Sequence, residues 1–129
     1  MQISLLDAAA LAAAVVVLGT AACSRMAGTK PAQAAELHKL VGTFVLDVRT
    51  PGEYAQGHLE RAVHIPVQQL SGRLSELPTD KTTPILVYCA VGGRSSVAAV
   101  LLKTKGYANV HDLSGGIVAW EGAGLSVVK

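Results

Sequence analysis

Residues 88–96 read YCAVGGRSS, and the side chains in that order could do chemistry together. Cys89 directly follows the apolar run PILVY (84–88) and precedes Gly92, Gly93, Arg94, Ser95 and Ser96. The run has the length and composition of a parallel strand buried on both faces. After it, Val97, Val100 and Leu101 predict the buried stripe of a helix that stops at Lys103, Lys105 and Gly106. A cysteine between a strand and a helix N-terminus meets unpaired N–H groups and the positive end of the helix dipole. The two glycines let the backbone curl so that its N–H groups converge on an anion, and Ser95 or Ser96 can cap the helix. Arg94 adds a full positive charge. Each feature favours thiolate, and a free cysteine near pKa ~8.5 falls to roughly 3.5–7.5 in such surroundings. A cysteine alone is more often a small buried hydrophobe. The combination instead predicts Cys89 as an activated nucleophile in a cradle for an anionic substrate.

Other segments must position this turn. Leu37, Leu40 and Val41 have helical spacing ending at Gly42, and TFVLDV (43–48) reads as a buried strand. PGEYAQGHL (51–59) predicts a turn with a short helix, and AVHIPV (62–67) a second strand. Leu70, Leu74 and Leu77 form one helix face closed by Pro78. NVHDL (109–113) is a last strand, and GGIVAWEGAG (115–124) a short helix in which Trp120 serves the core. Strands alternating with helices predict an α/β fold with a mainly parallel central sheet flanked by helices. Ligands of such sheets gather at the carboxyl ends of the strands, where Cys89 falls.

A chain of 129 residues has room for one domain, and its half-apolar composition suffices for a core. The dispersed net charge of +2 gives no basis for nucleic-acid binding. Cys23 and Cys89 lie too far apart in character to form a disulfide framework, and His38, His58, His64 and His111 lack ligand spacing, so no metal is expected. Residues 8–22, AAALAAAVVVLGTAA, carry no charge and suit a signal segment or a short anchor. The expected division is a targeting segment 1–23, a linker 24–33 and a domain 34–129. Cys23, behind Ala21 and Ala22, is a candidate lipid acceptor, although Thr20 stands where a Leu-like residue is preferred. AQA (32–34) is an alternative cleavage site. Asp7 before the apolar segment, with Arg25 and Lys30 after it, favours instead a retained anchor and a cytoplasmic domain.

Four stretches together resemble the rhodanese (sulfurtransferase) family, as a single-domain bacterial member. LDVRTPGEYAQGHLERAVHIP (46–66) is similar to its opening strand-and-turn signature and VYCAVGGRS (87–95) to its active-site loop. GYANVHDLSGG (106–116) and GIVAWEGAGLSV (116–127) are similar to its closing strand and helix. The resemblance implies a rhodanese-like fold in which Cys89 accepts sulfur. It implies that the backbone N–H groups of Ala90, Val91, Gly92, Gly93, Arg94 and Ser95 hold the persulfide and the donor's oxyanion, with Arg94 adding charge. Asp47 and Arg49 match a signature pair read as structural, and Glu53 and His58 as turn-fixing residues. The implied reaction moves a sulfane sulfur from a thiosulfate-like donor through a Cys89 persulfide to cyanide, a small thiol or a protein thiol. No cofactor is required. A bacterial cell envelope location, periplasmic or membrane-attached, and a monomeric state are the accompanying expectations.

Two other readings compete. Tyrosine-phosphatase-like and arsenate-reductase-like enzymes also set a cysteine before a helix, but with one residue more than the AVGG that separates Cys89 from Arg94. The shorter loop makes a smaller cradle, better sized to sulfur than to phosphate or arsenate. A non-enzymatic rhodanese module, binding a partner or only carrying persulfide, is the alternative of a different class.

Overall fold

The computed structural model describes residues 28–129. The expected targeting segment 1–23, Cys23 as a lipid acceptor and the first part of the linker lie outside the described residues. Among the described residues, no helix is long and apolar enough to cross a membrane.

Helix α1 spans Pro31–Lys39, with Pro31 at the first helical turn, where its missing N–H costs nothing. It therefore starts inside the stretch that composition marks as a linker. Thr29 also belongs to the fold, pairing in parallel with Leu113 and donating its N–H to the Asp112 carbonyl at 2.7 Å. Leu40 and Val41, expected on the buried face, are 57% and 92% exposed because the helix has ended before them. Strand β1 (Phe44–Asp47) follows, then α2 (Pro51–Gln56), which opens with a reciprocal capping box between Thr50 and Glu53. Strand β2 is only Val63–His64, although the Ile65 and Val67 N–H groups still bond to the Asp47 and Val48 carbonyls.

The expected helix over Leu70, Leu74 and Leu77 is two 3₁₀ segments, Val67–Gly72 and Leu74–Glu76. Gly72 sits in mid-run, where it disfavours a continuous α-helix. Leu70 and Leu77 are nevertheless buried. Strand β3 (Ile85–Tyr88), helix α3 (Gly93–Thr104), strand β4 (Val110–Asp112) and helix α4 (Gly116–Gly122) complete the order.

The four strands form one parallel sheet in the order β2-β1-β3-β4, so the two apolar strands lie in the middle. Phe44 to Asp47 pair in register with Ile85 to Tyr88. Alternation along β3 divides the interior in two. Ile85 and Val87 join Leu46, Ile65, Leu70, Ala98 and Leu102 on the α3 side. Leu86 and Tyr88 face Ala34, Leu113, Ile117 and Trp120 on the α1 and α4 side. Fully burying a side chain of this size stabilises by about 1.5–3 kcal/mol, so β3 is strongly held against a register slip.

Helix α3 meets the sheet through Ser95, Ala98, Ala99 and Leu102. Val97 and Val100, expected inside, are 64% and 65% exposed. The stripe of small residues lets the helix backbone approach β3 closely, and the valines are left on the outer face.

Candidate active site

Cys89 keeps the parity of Ile85 and Val87, so its side chain points toward α3 and belongs to the core cluster on that side. It is 1% exposed and, among the described residues, is a free cysteine. The chain turns directly after it. Gly92, at φ 121°, takes a conformation that residues with a β-carbon rarely adopt, and α3 begins at Gly93. This twist sends the Gly92 N–H back to the sulfur, at 3.0 Å.

The outer wall of the loop is α4. The Ile117 N–H donates to the Cys89 carbonyl at 2.9 Å, and the Val118 N–H to the Ala90 carbonyl at 3.1 Å. With those carbonyls drawn outward, the loop N–H groups are free to face inward. A β-carbon on Gly116 would stand 2.4 Å from the Ala90 carbonyl oxygen, so only glycine permits this approach. The sequence reads residues 115–124 only as a short helix, and the pair Gly115-Gly116 is its available signal of close contact.

The sulfur also meets Ser95, whose Oγ lies 3.4 Å from Sγ and 3.2 Å from the Gly92 carbonyl oxygen. The expectation that Ser95 or Ser96 caps α3 is corrected here. The N-cap is Gly92, without a side-chain cap, and both serines lie inside the first helical turn. From there their hydroxyls reach back to the Gly92 carbonyl, Ser96 at 2.7 Å. Ser95 can thus serve Cys89 in both ionisation states. It accepts from the thiol while donating to Gly92, or turns its proton to the thiolate.

Burial pushes the Cys89 thiol up, but the Ser95 hydroxyl and the N–H groups of Ser95, Gly92 and Val91 outweigh it, so the pKa lies below that of a free thiol. Desolvation and hydrogen bonding pull in opposite directions here, and the hydrogen bonds win. The arrangement holds a nucleophilic sulfur and has donors ready for a negative charge one bond further out.

Arg94, whose charge interacts with Cys89, also has a partner outside the loop. Its two terminal nitrogens bond both oxygens of Glu53, at 2.6 and 2.9 Å. Sequence reasoning gave Glu53 a turn-fixing role, which it does have through Thr50, but missed this link across 41 positions. The Arg94 fork, followed by hydrogen bonds from Thr50, lowers the Glu53 pKa to about 2.

Asp47 and Arg49 stay out of the loop. The buried guanidinium bonds Asp47 at 2.6 Å and the Gly57 carbonyl at 2.7 Å, fixing the β1–α2 turn. Tyr88, the residue before Cys89, donates its hydroxyl to Asp47 at 2.7 Å and accepts the Leu59 N–H at 3.0 Å. His58 Nδ1 lies 2.9 Å from the Tyr54 carbonyl, and its ring stacks on Tyr54 at 3.8 Å, again within the turn. Trp120 is buried in the core, as expected.

A cleft of about 340 Å³ opens beside the loop, bounded by Val91, Gly92, Gly93, Ser96, Asp112 and Gly115 among others. Val91 at its rim is 68% exposed. Among the described residues, no group of His, Cys, Asp and Glu could hold a metal ion.

The comparisons with known proteins agree with this geometry. The family model "Rhodanese-like domain" matches residues 30–123. A sulfurtransferase of Allochromatium vinosum is 40% identical over 85 residues, covering 66% of this chain and 78% of that protein. A thiosulfate sulfurtransferase of Pseudomonas putida is 34% identical over 90 residues, covering 70% of this chain and 80% of its own. Among solved structures, a rhodanese-related protein of Thermoplasma volcanium superposes with a TM-score of 0.71 at 34% identity, covering 78% of this chain and 96% of that one.

Proposed function

The chain belongs to the rhodanese-like domain family, and from that premise we propose that it is a sulfurtransferase acting through a Cys89 persulfide. One observation carries the reading. A buried cysteine at the end of β3 has its pKa lowered by Ser95 and by the N–H groups of Ser95, Gly92 and Val91. The relatives named as sulfurtransferases support the same reaction class.

In the first half-reaction the Cys89 thiolate attacks the outer sulfur of thiosulfate. The new sulfur–sulfur bond forms as the old one breaks, and sulfite leaves with the electron pair. The product is a Cys89 persulfide whose terminal sulfur bears the negative charge. Val91, Gly92 and Ser95 N–H groups suit that charge because they already converge on the sulfur. In the second half-reaction cyanide or a thiolate attacks the terminal sulfur, and Cys89 leaves as the thiolate it began as. Neither half needs a general acid, since sulfite and the lowered-pKa Cys89 are both good leaving groups. The kinetics are therefore ping-pong. Targeting to a membrane by residues 1–23, whether as a cleaved signal, by lipidation at Cys23 or as a retained anchor, is part of the same proposal.

Incubation with thiosulfate followed by intact-mass measurement tests it. The expected result is the mass of one added sulfur, absent in Cys89→Ser and discharged by cyanide with release of thiocyanate. An unchanged mass across several sulfane donors would overturn the reading. Loading without turnover on cyanide or thiols would point to a carrier serving one protein partner.

A further inference from the structure

We infer that Glu53 is a positioning residue that sets the charge preference of the site: its closed pair with Arg94 withholds the loop's one cationic side chain from the donor and weights the site toward donors of lower charge. This rests on the sulfurtransferase reading.

Three observations combine. First, the pair is bidentate. Nη1 and Nη2 of Arg94 each take one Glu53 oxygen, at 2.6 and 2.9 Å, so the face of the guanidinium best shaped for an oxyanion is already occupied. Second, Glu53 is held in place without Arg94. The Thr50 N–H and hydroxyl donate to its Oε1 at 3.2 and 3.1 Å, while the Glu53 N–H donates to the Thr50 hydroxyl at 3.3 Å. A carboxylate fixed at a helix start does not follow the arginine into the loop. Third, the groups that hydrogen-bond the sulfur are neutral N–H and O–H donors from Val91, Gly92 and Ser95, and Arg94 acts on it only through space. They suit the charge on sulfur and offer nothing specific to a second charge on the sulfonate.

Charge balance makes the consequence readable. Thiosulfate is a dianion, and its attack by a thiolate releases dianionic sulfite. An alkyl thiosulfonate carries the same sulfane sulfur with one negative charge less and releases a sulfinate. In both cases the Cys89–sulfur bond forms as the donor's sulfur–sulfur bond breaks. The two donors differ by one charge at the leaving group, so they report on whether Arg94 is free to meet it.

The test compares kcat/KM for thiosulfate and methanethiosulfonate in wild type, Glu53→Gln, Glu53→Asp, Arg94→Gln and Glu53→Gln combined with Arg94→Gln. Glu53→Gln frees the arginine's charge and is expected to raise the thiosulfate-to-thiosulfonate ratio by about three- to tenfold, the effect of one charge at a partly exposed site. The pair is about a third exposed, with side chains 35% and 32% accessible, so the gain shrinks as salt is added. Glu53→Asp retains the charge and keeps the ratio near wild type, which also covers any loss of stability in the glutamine variant. Without Arg94, Glu53→Gln leaves the ratio unmoved. Equal losses with both donors would mean that the pair only braces the loop, and the inference would be overturned. A wild type that gains sulfur from neither donor would overturn the sulfurtransferase reading itself.

Discussion

Replacing Ser95 by alanine tests the chemistry of the thiol most directly. Ser95 is fully buried, its Oγ lies 3.4 Å from the sulfur, and its hydroxyl is the largest of the influences that lower the Cys89 pKa. A hydrogen bond to a charged group contributes about 1.5–3 kcal/mol, and one pKa unit corresponds to about 1.4 kcal/mol. Removing the hydroxyl should therefore weaken the hold on the thiolate by an energy of that order and raise the Cys89 pKa toward that of a free thiol. The N–H groups of Ser95, Gly92 and Val91 survive the substitution and retain part of the lowering.

The assay is the pH dependence of iodoacetamide alkylation, paired with thiolate absorbance near 240 nm. The midpoint should move to higher pH while the plateau rate at high pH is kept, because only the ionisation has changed. Linkage gives a second readout. A thiol whose pKa is depressed by folding contributes stability that is complete above the unfolded thiol pKa of ~8.5 and is lost as pH falls through the folded value. The rise of stability with pH across that window should therefore be shallower in Ser95→Ala. Ser96→Ala is the control, since its hydroxyl reaches the Gly92 carbonyl at 2.7 Å and Asp112 at 3.0 Å but not the sulfur. An alkylation midpoint unmoved in Ser95→Ala, or moved equally in Ser96→Ala, would refute the reasoning.

Two further substitutions separate the scaffold from the chemistry. Gly116→Ala sets a β-carbon 2.4–2.5 Å from the Ala90 and Cys89 backbone at a φ of +62°, so a loss of about 2–4 kcal/mol in urea unfolding is expected, together with impaired persulfide formation. Tyr88→Phe strips the hydroxyl that joins Asp47 to the Leu59 N–H and should cost about 1–3 kcal/mol, with kcat for sulfur transfer kept near wild type.

Much of this arrangement could be read from the chain itself, for a physical reason. PILVY is too apolar for any but a central strand, and period-two alternation then decides that Cys89 points the same way as Val87. Gly92 before Gly93 marks a backbone that must curl, and it does so at φ 121°. Misreadings arose where small residues did the packing. Ala98, Ala99 and Ser95 face the sheet in place of Val97 and Val100, because close approach of α3 needs small side chains more than apolar bulk. The two 3₁₀ segments misled for a related reason, since leucines at positions 70 and 77 are buried with or without a continuous helix between them.

Local order thus determined that a cysteine stands at a strand end beneath a helix, with glycines that turn N–H groups toward it. Those features depend on neighbours along the chain. Tertiary structure decided what the charged and anchoring groups do, because their partners are distant in sequence. Glu53 meets Arg94 across 41 positions, and the Ile117 and Val118 N–H groups fix the carbonyls of Cys89 and Ala90 from a separate helix. An arginine beside a cysteine reads as charge offered to an anion. Only the packed chain reveals that this guanidinium also pairs with the Glu53 carboxylate.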